Sequence, residues 1–312
     1  MKFGAIDIGS NALRFQITRV VRNDQDINFK KIEYIRFPLR LGDDVFQSGL
    51  ISDVKAKKLL KFIEVSKILF DLYEVDDYLA CATSAMREAK NGEKIVEKAK
   101  KKMNIEIKII NGETEALYIN KVVQHNLSEG NYYIHIDVGG GSTELNIYEN
   151  KRKIASQSFK IGSVRSLNNM DLPEEWNRMK SWIEDNVKKE YKPIIAIGTG
   201  GNIGKIYEIH EGGKSERTIS YKAVEETIQR IKKLSYEQRL KILMLNPDRA
   251  DVIVPAGEIY LRVMMWAGAK IMKVPDVGLK DGLIQVLYEK HFLGRDNTQS
   301  TFNNVKKRFR FF

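Results

Sequence analysis

Two segments of the chain repeat one pattern of apolar and polar positions. Residues 3–19 and residues 134–148 each contain a short apolar run, an aspartate, a turn of glycine and serine, and a second, alternating run. The apolar runs predict buried strands, and the turn between them predicts a hairpin. The two aspartates, Asp7 and Asp137, lie 137 − 7 = 130 residues apart, which is too long for a solenoid repeat. The pattern therefore predicts a duplicated domain, with each copy placing one acidic loop in a shared cleft.

The remaining pattern alternates helices with strands. Apolar residues at helical spacing predict a helix over 53–73, with Ser52 as its N-cap. A helix rich in lysine and glutamate is predicted from the turn at 83–84 to about Met103. Further predictions are strands at 78–82, 105–110 and 193–197, a helix over 112–124, a glycine loop at 198–204 and a mainly helical remainder. The helix at 112–124 is expected to connect two domains, 1–124 and 125–294, which precede a flexible basic tail at 295–312.

Length and charge restrict the classes of protein and partner. The 312 residues are enough for two domains, and 43% hydrophobic with 30% charged residues is ordinary for a soluble globular protein. The net charge of +11 favours an acidic partner: a polyanion, nucleic acid or an anionic membrane. The sequence has no helix-turn-helix signature and no basic sheet with interleaved aromatics, so a nucleic-acid partner is not expected. The longest apolar stretch contains Glu258, Arg262 and Lys270, which predicts a buried or amphipathic helix and no membrane partner.

Cysteine and histidine usage indicates a compartment but no metal cluster. Cys81 is the only cysteine, which excludes an internal disulfide and suits a reducing cytoplasm. The N-terminus enters a strand at once and shows no signal peptide, so a cytoplasmic location is expected. Cys81 lies in an apolar run and is interpreted as a small buried hydrophobe. The four histidines lack zinc-ligand spacing, and His135, between two isoleucines of a strand, is interpreted as structural.

The two repeated turns have the composition of phosphate-binding loops. Glycine lacks a Cβ atom, so the backbone N–H groups of such a turn can close around an anion. An acid beside an anion site is unfavourable unless a divalent cation lies between them, and Mg²⁺ held by one or two carboxylates and phosphate oxygens would resolve the conflict. The alternative for either copy is an ordinary hairpin with a glycine turn.

Two further segments carry candidate chemistry. Residues 81–89 follow a strand and open a helix, where small polar residues can hold an anion and Arg87 can add a forked guanidinium. The alternative is a surface arginine in a first helical turn, an unfavourable place for a cation. Residues 110–116 place acids at the start of a helix, where a carboxylate could deprotonate a water. Compensation of the helix dipole explains Glu113 well, and it explains Glu115 about equally well on spacing alone.

Eight ordered motifs resemble one known family. The motifs are DIGSNALRF, TSAMREA, INGETEA, DVGGGSTEL, IGSVRSL, GTGGNI, RADVIVPAG and GLKDGL. They are similar, from about Lys2 to about Leu287, to the exopolyphosphatase and guanosine pentaphosphate phosphohydrolase (Ppx/GppA) family, in its short two-domain form. The resemblance implies an α/β fold of two duplicated actin-like (ribonuclease H-like) domains around a deep cleft, as in acetate and sugar kinases, chaperones and actin. It also implies hydrolysis of a terminal phosphoanhydride with Mg²⁺ as cofactor.

The resemblance also assigns roles by position. Glu115 would be the catalytic carboxylate, which separates it from Glu113. The implied phosphate-binding residues are Gly9, Ser10, Asn11, Arg87, Gly139, Gly140, Gly141 and Ser142, and the implied metal ligands are Asp7, Asp137 and Glu144. Three departures from the usual family pattern bear on substrate fit: Ala12 replaces Ser, Asn202 replaces Thr, and Lys280-Asp281 replaces Arg-Glu.

The resulting expectation is a cytoplasmic exopolyphosphatase that releases terminal orthophosphate from inorganic polyphosphate. A guanosine pentaphosphate 5′-phosphohydrolase would use the same chemistry and is the nearest rival. Rivals from other classes are a non-hydrolytic polyphosphate or nucleotide sensor and a kinase of the wider superfamily. The sequence leaves open chain-length preference, monovalent-ion dependence and the oligomeric state, a homodimer included.

Overall fold

The chain forms two compact units. The structure is a computed structural model that describes residues 1–22, 26–187, 193–211, 217–294 and 308–311. Unit 1 contains Met1–His125 together with the chain from Gly278 onward, and unit 2 contains Asn126–Val277.

Strands and helices alternate along both units. The strands are β1 (Lys2–Ile8), β2 (Leu13–Arg22), β3 (Asp26–Phe37), β4 (Asp77–Ala82), β5 (Ile107–Ile109), β6 (Tyr132–Val138), β7 (Thr143–Glu149), β8 (Arg152–Phe159), β9 (Ile194–Thr199), β10 (Thr218–Ser220), β11 (Ile271–Lys273) and β12 (Arg308–Phe311). The helices are α1 (Leu41–Ser48), α2 (Asp53–Leu72), α3 (Ser84–Glu88), α4 (Gly92–Met103), α5 (Gly112–Val123), α6 (Ser163–Leu167), α7 (Pro173–Asn186), α8 (Gly201–Glu211), α9 (Tyr221–Lys233), α10 (Tyr236–Lys241), α11 (Pro247–Ala250), α12 (Ile253–Ala267) and α13 (Leu279–Leu293). A 3-10 turn spans Gln124–Asn126.

Each unit is built on a six-stranded mixed sheet, and five strands of each sheet share a topology, while β12 and β10 add a sixth strand at opposite edges. The strand orders are β12-β3-β2-β1-β4-β5 in unit 1 and β10-β11-β9-β6-β7-β8 in unit 2. In unit 1, β1, β2 and β3 form an antiparallel meander, and β4 and β5 run parallel to β1. In unit 2, β6, β7 and β8 form the same meander, and β9 and β11 run parallel to β6. The duplication predicted from the repeated sequence pattern is therefore confirmed for five strands of each sheet.

Burial explains why the repeated segments become central strands. Every residue of β1 after Lys2 is buried, and in β6 Asp137 alone is half-buried. Strands that are covered on both faces require nearly continuous apolar runs, which both segments contain. The predicted N-cap of α2 is confirmed, because Ser52 accepts a hydrogen bond from the amide of Lys55 at 3.4 Å. No helix within the described ranges has the length and apolar character needed to cross a bilayer.

The predicted second domain, 125–294, included the helix α13, but the structure places this helix in unit 1. α13 packs against α5, β1 and β4, so the residues from Gly278 onward belong to unit 1. Gly282 of α13 lies against the backbone carbonyl of Tyr118 in α5, where any Cβ atom would collide. The two helices approach closely through this glycine, which is a long-range contact that linear order does not reveal.

Three local predictions also differ from the structure. The lysine- and glutamate-rich helix is split into α3 and α4 at Ala89, whose backbone is extended (ψ 123°), and Gly92 lies against the backbone carbonyl of Met86 at this break. The predicted glycine loop at 198–204 is helical from its fourth residue, where α8 begins. In the tail, β12 pairs in parallel with β3, so the expectation of flexibility is wrong for these four residues. The rest of 295–312 lies outside the described residues.

Candidate functional site

The predicted site residues divide between the two units. Unit 1 contains Asp7, Gly9, Ser10, Asn11, Arg87 and Glu115, and unit 2 contains Asp137, Gly139, Gly140, Gly141, Ser142 and Glu144.

The two repeated turns close with the same hydrogen bond. In unit 1 the amide of Gly9 donates to the carbonyl of Ala12 at 3.2 Å, and in unit 2 the amide of Gly139 donates to the carbonyl of Ser142 at 2.9 Å. Asn11 lies half-buried at the tip of the first turn. Matching closure at matching positions confirms that both segments are hairpin turns, here called turn 1 (residues 9–12) and turn 2 (residues 139–142).

Turn 1 is joined to the start of α3 through one serine. The Ser10 hydroxyl lies 2.6 Å from the Ser84 hydroxyl and accepts a hydrogen bond from the amide of Ala85 at 3.2 Å. The carbonyl of Ser10 accepts from the amide of Gly42 at 2.8 Å, which ties the turn to α1. The sequence segments 7–12 and 83–87, predicted separately to hold anions, are therefore neighbours in unit 1.

Arg87 links α3 to the segment that precedes α5. Its Nη1 donates to the carbonyl of Ile110 at 2.6 Å, next to the Asn111 N-cap of α5. Because α3 is only five residues long, Arg87 lies in its last turn, where the helix dipole favours a cation. The alternative of a surface arginine in an unfavourable first turn does not describe this half-buried side chain, and its proximity to the acid-bearing helix is compatible with the predicted site.

Burial separates the two glutamates that sequence spacing could not. Glu113 is exposed, which suits compensation of the helix dipole, whereas Glu115 is only 8% exposed. Burial, with the carboxylates of Asp7 and Glu115 nearby, raises the pKa of the Cys81 thiol to about 12. This thiol stays protonated, as expected for a small buried hydrophobe, and both carboxylates lie close enough to influence it.

Turn 2 is held from one side by the start of α6. The carbonyls of glycines 139–141 accept, in order, from the amide of Ser163 (3.0 Å), the amide of Val164 (2.8 Å) and Nε of Arg165 (3.0 Å). All three glycine carbonyls are thus occupied by protein donors. The sequence motif IGSVRSL contains these donors, but residue spacing alone did not identify Ser163 or Arg165 as supports of the turn.

The amide groups of turn 2 have a different environment from its carbonyls. The N–H groups of Gly140, Gly141 and Ser142 donate to no acceptor in the part of the chain that the structure describes. Three consecutive amides without a protein acceptor, in a turn whose carbonyls are tied elsewhere, have the donor arrangement of an anion-binding nest.

Gly162 is required for this support, and its replacement tests it. A Cβ atom at position 162 would lie 2.6 Å from backbone atoms of Gly140 and Gly141. Its φ of −159° is open to any residue, so the constraint is space. We expect Gly162→Ala to displace turn 2 and lower the phosphate release that the family resemblance implies by about 10²-fold, since small misplacements of binding groups have effects of that size. Gly204→Ala, in the open environment of α8, is the control, and equal activity of the two variants would contradict the prediction.

Acidic residues oppose each other in unit 2 but not in unit 1. Asp137 and Glu144 are directly opposite on β6 and β7, whereas the matching positions on β1 and β2 hold Asp7 and Arg14. Arg14 Nη1 contacts Asp7 Oδ2 at 3.0 Å, so the acid of unit 1 already has a cationic partner. Opposed Cβ atoms on such strands lie about 4.5–5.5 Å apart, and like charges there are destabilising.

The two acids of unit 2 are held by neutral hydroxyl groups. Asp137 Oδ1 accepts from the Thr199 hydroxyl at 2.7 Å, and Glu144 Oε1 accepts from the Ser158 hydroxyl at 2.9 Å. Glu144 is only 1% exposed. Within the described ranges no three His, Cys, Asp or Glu side chains cluster to hold a metal, so a cation here would rely on these two carboxylates.

Comparisons with known proteins agree with the fold and the motifs. The family model described as the Ppx/GppA phosphatase family matches residues 20–291. A bifunctional 3-dehydroquinate synthase/phosphatase of Fusobacterium nucleatum is 27% identical over 91% of this chain, which spans only 46% of that protein. A putative exopolyphosphatase of Haemophilus influenzae is 23% identical, with 96% of this chain and 95% of that protein covered.

Solved structures show the same architecture. An exopolyphosphatase from Cytophaga hutchinsonii superposes with a TM-score of 0.78 at 22% identity, covering 93% of this chain and 97% of that chain. A Ppx/GppA enzyme of Aquifex aeolicus gives a TM-score of 0.72 at 26% identity, covering 91% of this chain and 99% of that chain. These similarities confirm the predicted α/β fold. Because the family model matches most of the sequence, the chain belongs to the Ppx/GppA phosphatase family.

Proposed function

We propose that the chain is an exopolyphosphatase, which hydrolyses the terminal phosphoanhydride bond of inorganic polyphosphate and releases orthophosphate. The observation that carries the proposal is turn 2: its carbonyls are tied to α6, while the amides of Gly140, Gly141 and Ser142 remain available for an anion. Such a nest recognises phosphate oxygens and makes no use of a nucleobase. The single, buried thiol of Cys81 is compatible with the reducing cytoplasm as the proposed location.

The acid pair of unit 2 fits Mg²⁺. Asp137 and Glu144 oppose each other, and each accepts a hydrogen bond from a neutral hydroxyl group, whereas Asp7 forms an ion pair with Arg14. Mg²⁺ is usually held by one or two carboxylates together with waters and substrate phosphates, so a cluster of three protein ligands is not needed. When bound, the ion would neutralise charge on phosphate oxygens. Asp7 stays a further predicted ligand. Because Arg14 already compensates its charge, Asp7 would gain less from a bound cation than Asp137 or Glu144.

Glu115 is proposed as the general base. Hydrolysis requires the attacking water to lose a proton as its oxygen bonds to the terminal phosphorus, while the bridging P–O bond breaks and its electron pair leaves with the shortened chain. The Glu115 carboxylate accepts that proton in the proposal. Arg87, held by the carbonyl of Ile110, is proposed to bind phosphate oxygens through its charge. Most of the rate enhancement is expected from such electrostatic stabilisation of the transferred phosphoryl group.

Polyphosphate is the preferred substrate in this proposal. Guanosine pentaphosphate offers the same terminal group, but it also requires a pocket that stacks and hydrogen-bonds guanine, and no residues in the sequence clearly specify one. Polyphosphate presents many further charges, which a chain of net charge +11 can attract without reading a base.

The test compares the two substrates at two ionic strengths. We expect kcat/KM to be higher for long polyphosphate than for guanosine pentaphosphate or ATP with Mg²⁺ present, and its KM to rise more steeply with salt because screening weakens long-range attraction. Free phosphate is measured for each substrate at low and high salt. A higher kcat/KM for guanosine pentaphosphate at both salt concentrations would show that guanosine pentaphosphate, and not polyphosphate, is the preferred substrate. The absence of phosphate release from all three compounds would indicate a sensor or a kinase.

A further inference from the structure

We propose that a one-way relay of hydrogen bonds, Ser156→Asn146→His135→Thr199→Asp137, orients the Asp137 carboxylate and thereby positions it for the cation. The inference rests on the proposed function of Asp137 as a metal ligand. In it, Thr199 and His135 are positioning residues that contact neither substrate nor metal.

The relay crosses the sheet of unit 2. The Ser156 hydroxyl lies 2.7 Å from Asn146 Oδ1, and Asn146 Nδ2 lies 3.0 Å from His135 Nδ1. His135 Nε2 lies 2.8 Å from the Thr199 hydroxyl, which lies 2.7 Å from Asp137 Oδ1. The three middle residues are fully buried. Register explains their meeting, because His135 opposes Asn146 on β7 and Asp137 opposes Thr199 on β9.

The Asp137 carboxylate at the end of the relay fixes the direction in which each hydrogen bond is donated. An ionised carboxylate only accepts, so the single hydroxyl proton of Thr199 points to Asp137. That hydroxyl must then accept from His135, which places the ring proton on Nε2 and leaves Nδ1 as an acceptor. Asn146 therefore presents its amide nitrogen to the ring and its oxygen to Ser156. Hydrogen bonds that donate in one direction polarise one another, so the effect is largest at the final acceptor.

The backbone around the relay is also fixed. The Tyr260 hydroxyl donates to the carbonyl of Thr199 and accepts from the amide of Val138 at 3.3 Å. Gly200, with φ +105°, lies so close to Asp137 that a Cβ atom would be 3.4 Å from Oδ1. These contacts fix the backbone of β6 beside Asp137 and the backbone of β9 at Thr199.

The duplicated unit supplies an internal comparison. The positions that match His135 and Thr199 in unit 1 are Ala5 and Cys81, which cannot build this relay. There the acid, Asp7, is held by Arg14 instead. The relay therefore occurs in the copy whose acid opposes another acid, and the relay delivers a hydrogen bond to that acid from a neutral hydroxyl group. A network that only stabilised the sheet would not be expected to differ between the two units in the same way as the acids do.

The first test determines the tautomer of His135 by NMR. With ¹⁵N-labelled histidine, the ring-nitrogen shifts of His135 in the metal-free protein should show a neutral ring protonated at Nε2, and loss of this signal in His135→Gln assigns it. A ring protonated at Nδ1 would overturn the proposal, because Thr199 would then donate to the ring and not to Asp137. This outcome does not depend on which phosphate compound is the substrate.

The second test measures Mg²⁺ binding by calorimetry without substrate. Thr199→Val keeps the shape and removes the hydroxyl, and we expect a Kd for Mg²⁺ about 10-fold higher, as is typical when a residue that orients a metal ligand is lost. Thr199→Ser should restore wild-type binding. Thr227→Val, which removes another buried hydroxyl of unit 2 (bonded to the Ala223 carbonyl at 2.7 Å), controls for general destabilisation. Wild-type Mg²⁺ affinity in folded Thr199→Val, or an equal loss in Thr227→Val, would contradict the relay.

Discussion

Glu115→Gln is expected to lower the rate of phosphate release from polyphosphate by about 10²–10⁴-fold, the usual contribution of a general base. Glutamine keeps the size of the side chain and its ability to accept a hydrogen bond, but it cannot take up the proton of the attacking water. Binding of polyphosphate should remain largely unchanged, because the proposed phosphate donors are the turn amides and Arg87. Single-turnover phosphate release and equilibrium binding to labelled polyphosphate measure the two effects separately.

The matched control is Glu113→Gln. Glu113 lies in the same first turn of α5 but is exposed, so its replacement removes one charge near the helix N-terminus without touching the buried carboxylate. Its rate should stay close to that of the wild type. If Glu115→Gln retained half the wild-type rate, Glu115 would be removed from the mechanism and Glu113 would become the candidate.

The repeated hairpins were predictable because their signal is local. An apolar run, an acid and a glycine turn fix a strand, a turn and a second strand within about fifteen residues, and the closing bonds at Gly9 and Gly139 are nearly identical. The capping of α2 by Ser52 is local in the same sense. Such features depend on backbone sterics and nearest neighbours, so a single sequence contains them.

Contacts between distant segments were not predictable in this way. Nothing near Gly282 indicates that it will pack against Tyr118, and so the assignment of α13 to unit 1 was missed. Arg165 was likewise overlooked, because its role as a donor to Gly141 arises only when α6 folds back on turn 2. His135 was interpreted correctly as a satisfied buried side chain, but its partners lie on two other strands, so the path to Asp137 became visible only in the sheet.

The Asp137–Glu144 pair gives the second large expected effect. Asp137→Asn keeps an oxygen that can accept from Thr199 but removes the charge, so we expect the Mg²⁺ concentration for half-maximal activity to rise at least about 10-fold. Glu144→Gln should shift the same titration in the same direction. Glu149→Gln, at the exposed end of β7, is the control and should leave it unchanged. Asp7→Asn then shows whether the acid that pairs with Arg14 also serves the cation.

Glu144→Gln should raise Tm relative to the wild type in excess chelator and lower it when Mg²⁺ is present. In excess chelator the opposed carboxylates of wild-type unit 2 repel each other, by about 0.2–1 kcal/mol for such a cross-strand pair, so Glu144→Gln should raise Tm. With Mg²⁺ the wild type gains the free energy of a ligand that binds only the folded state, and the variant, which binds the ion more weakly, gains less. At sufficient Mg²⁺ its Tm should therefore fall below that of the wild type. Full activity in excess chelator, or a Tm difference that keeps one sign across the Mg²⁺ titration, would show that the two acids do not share a cation.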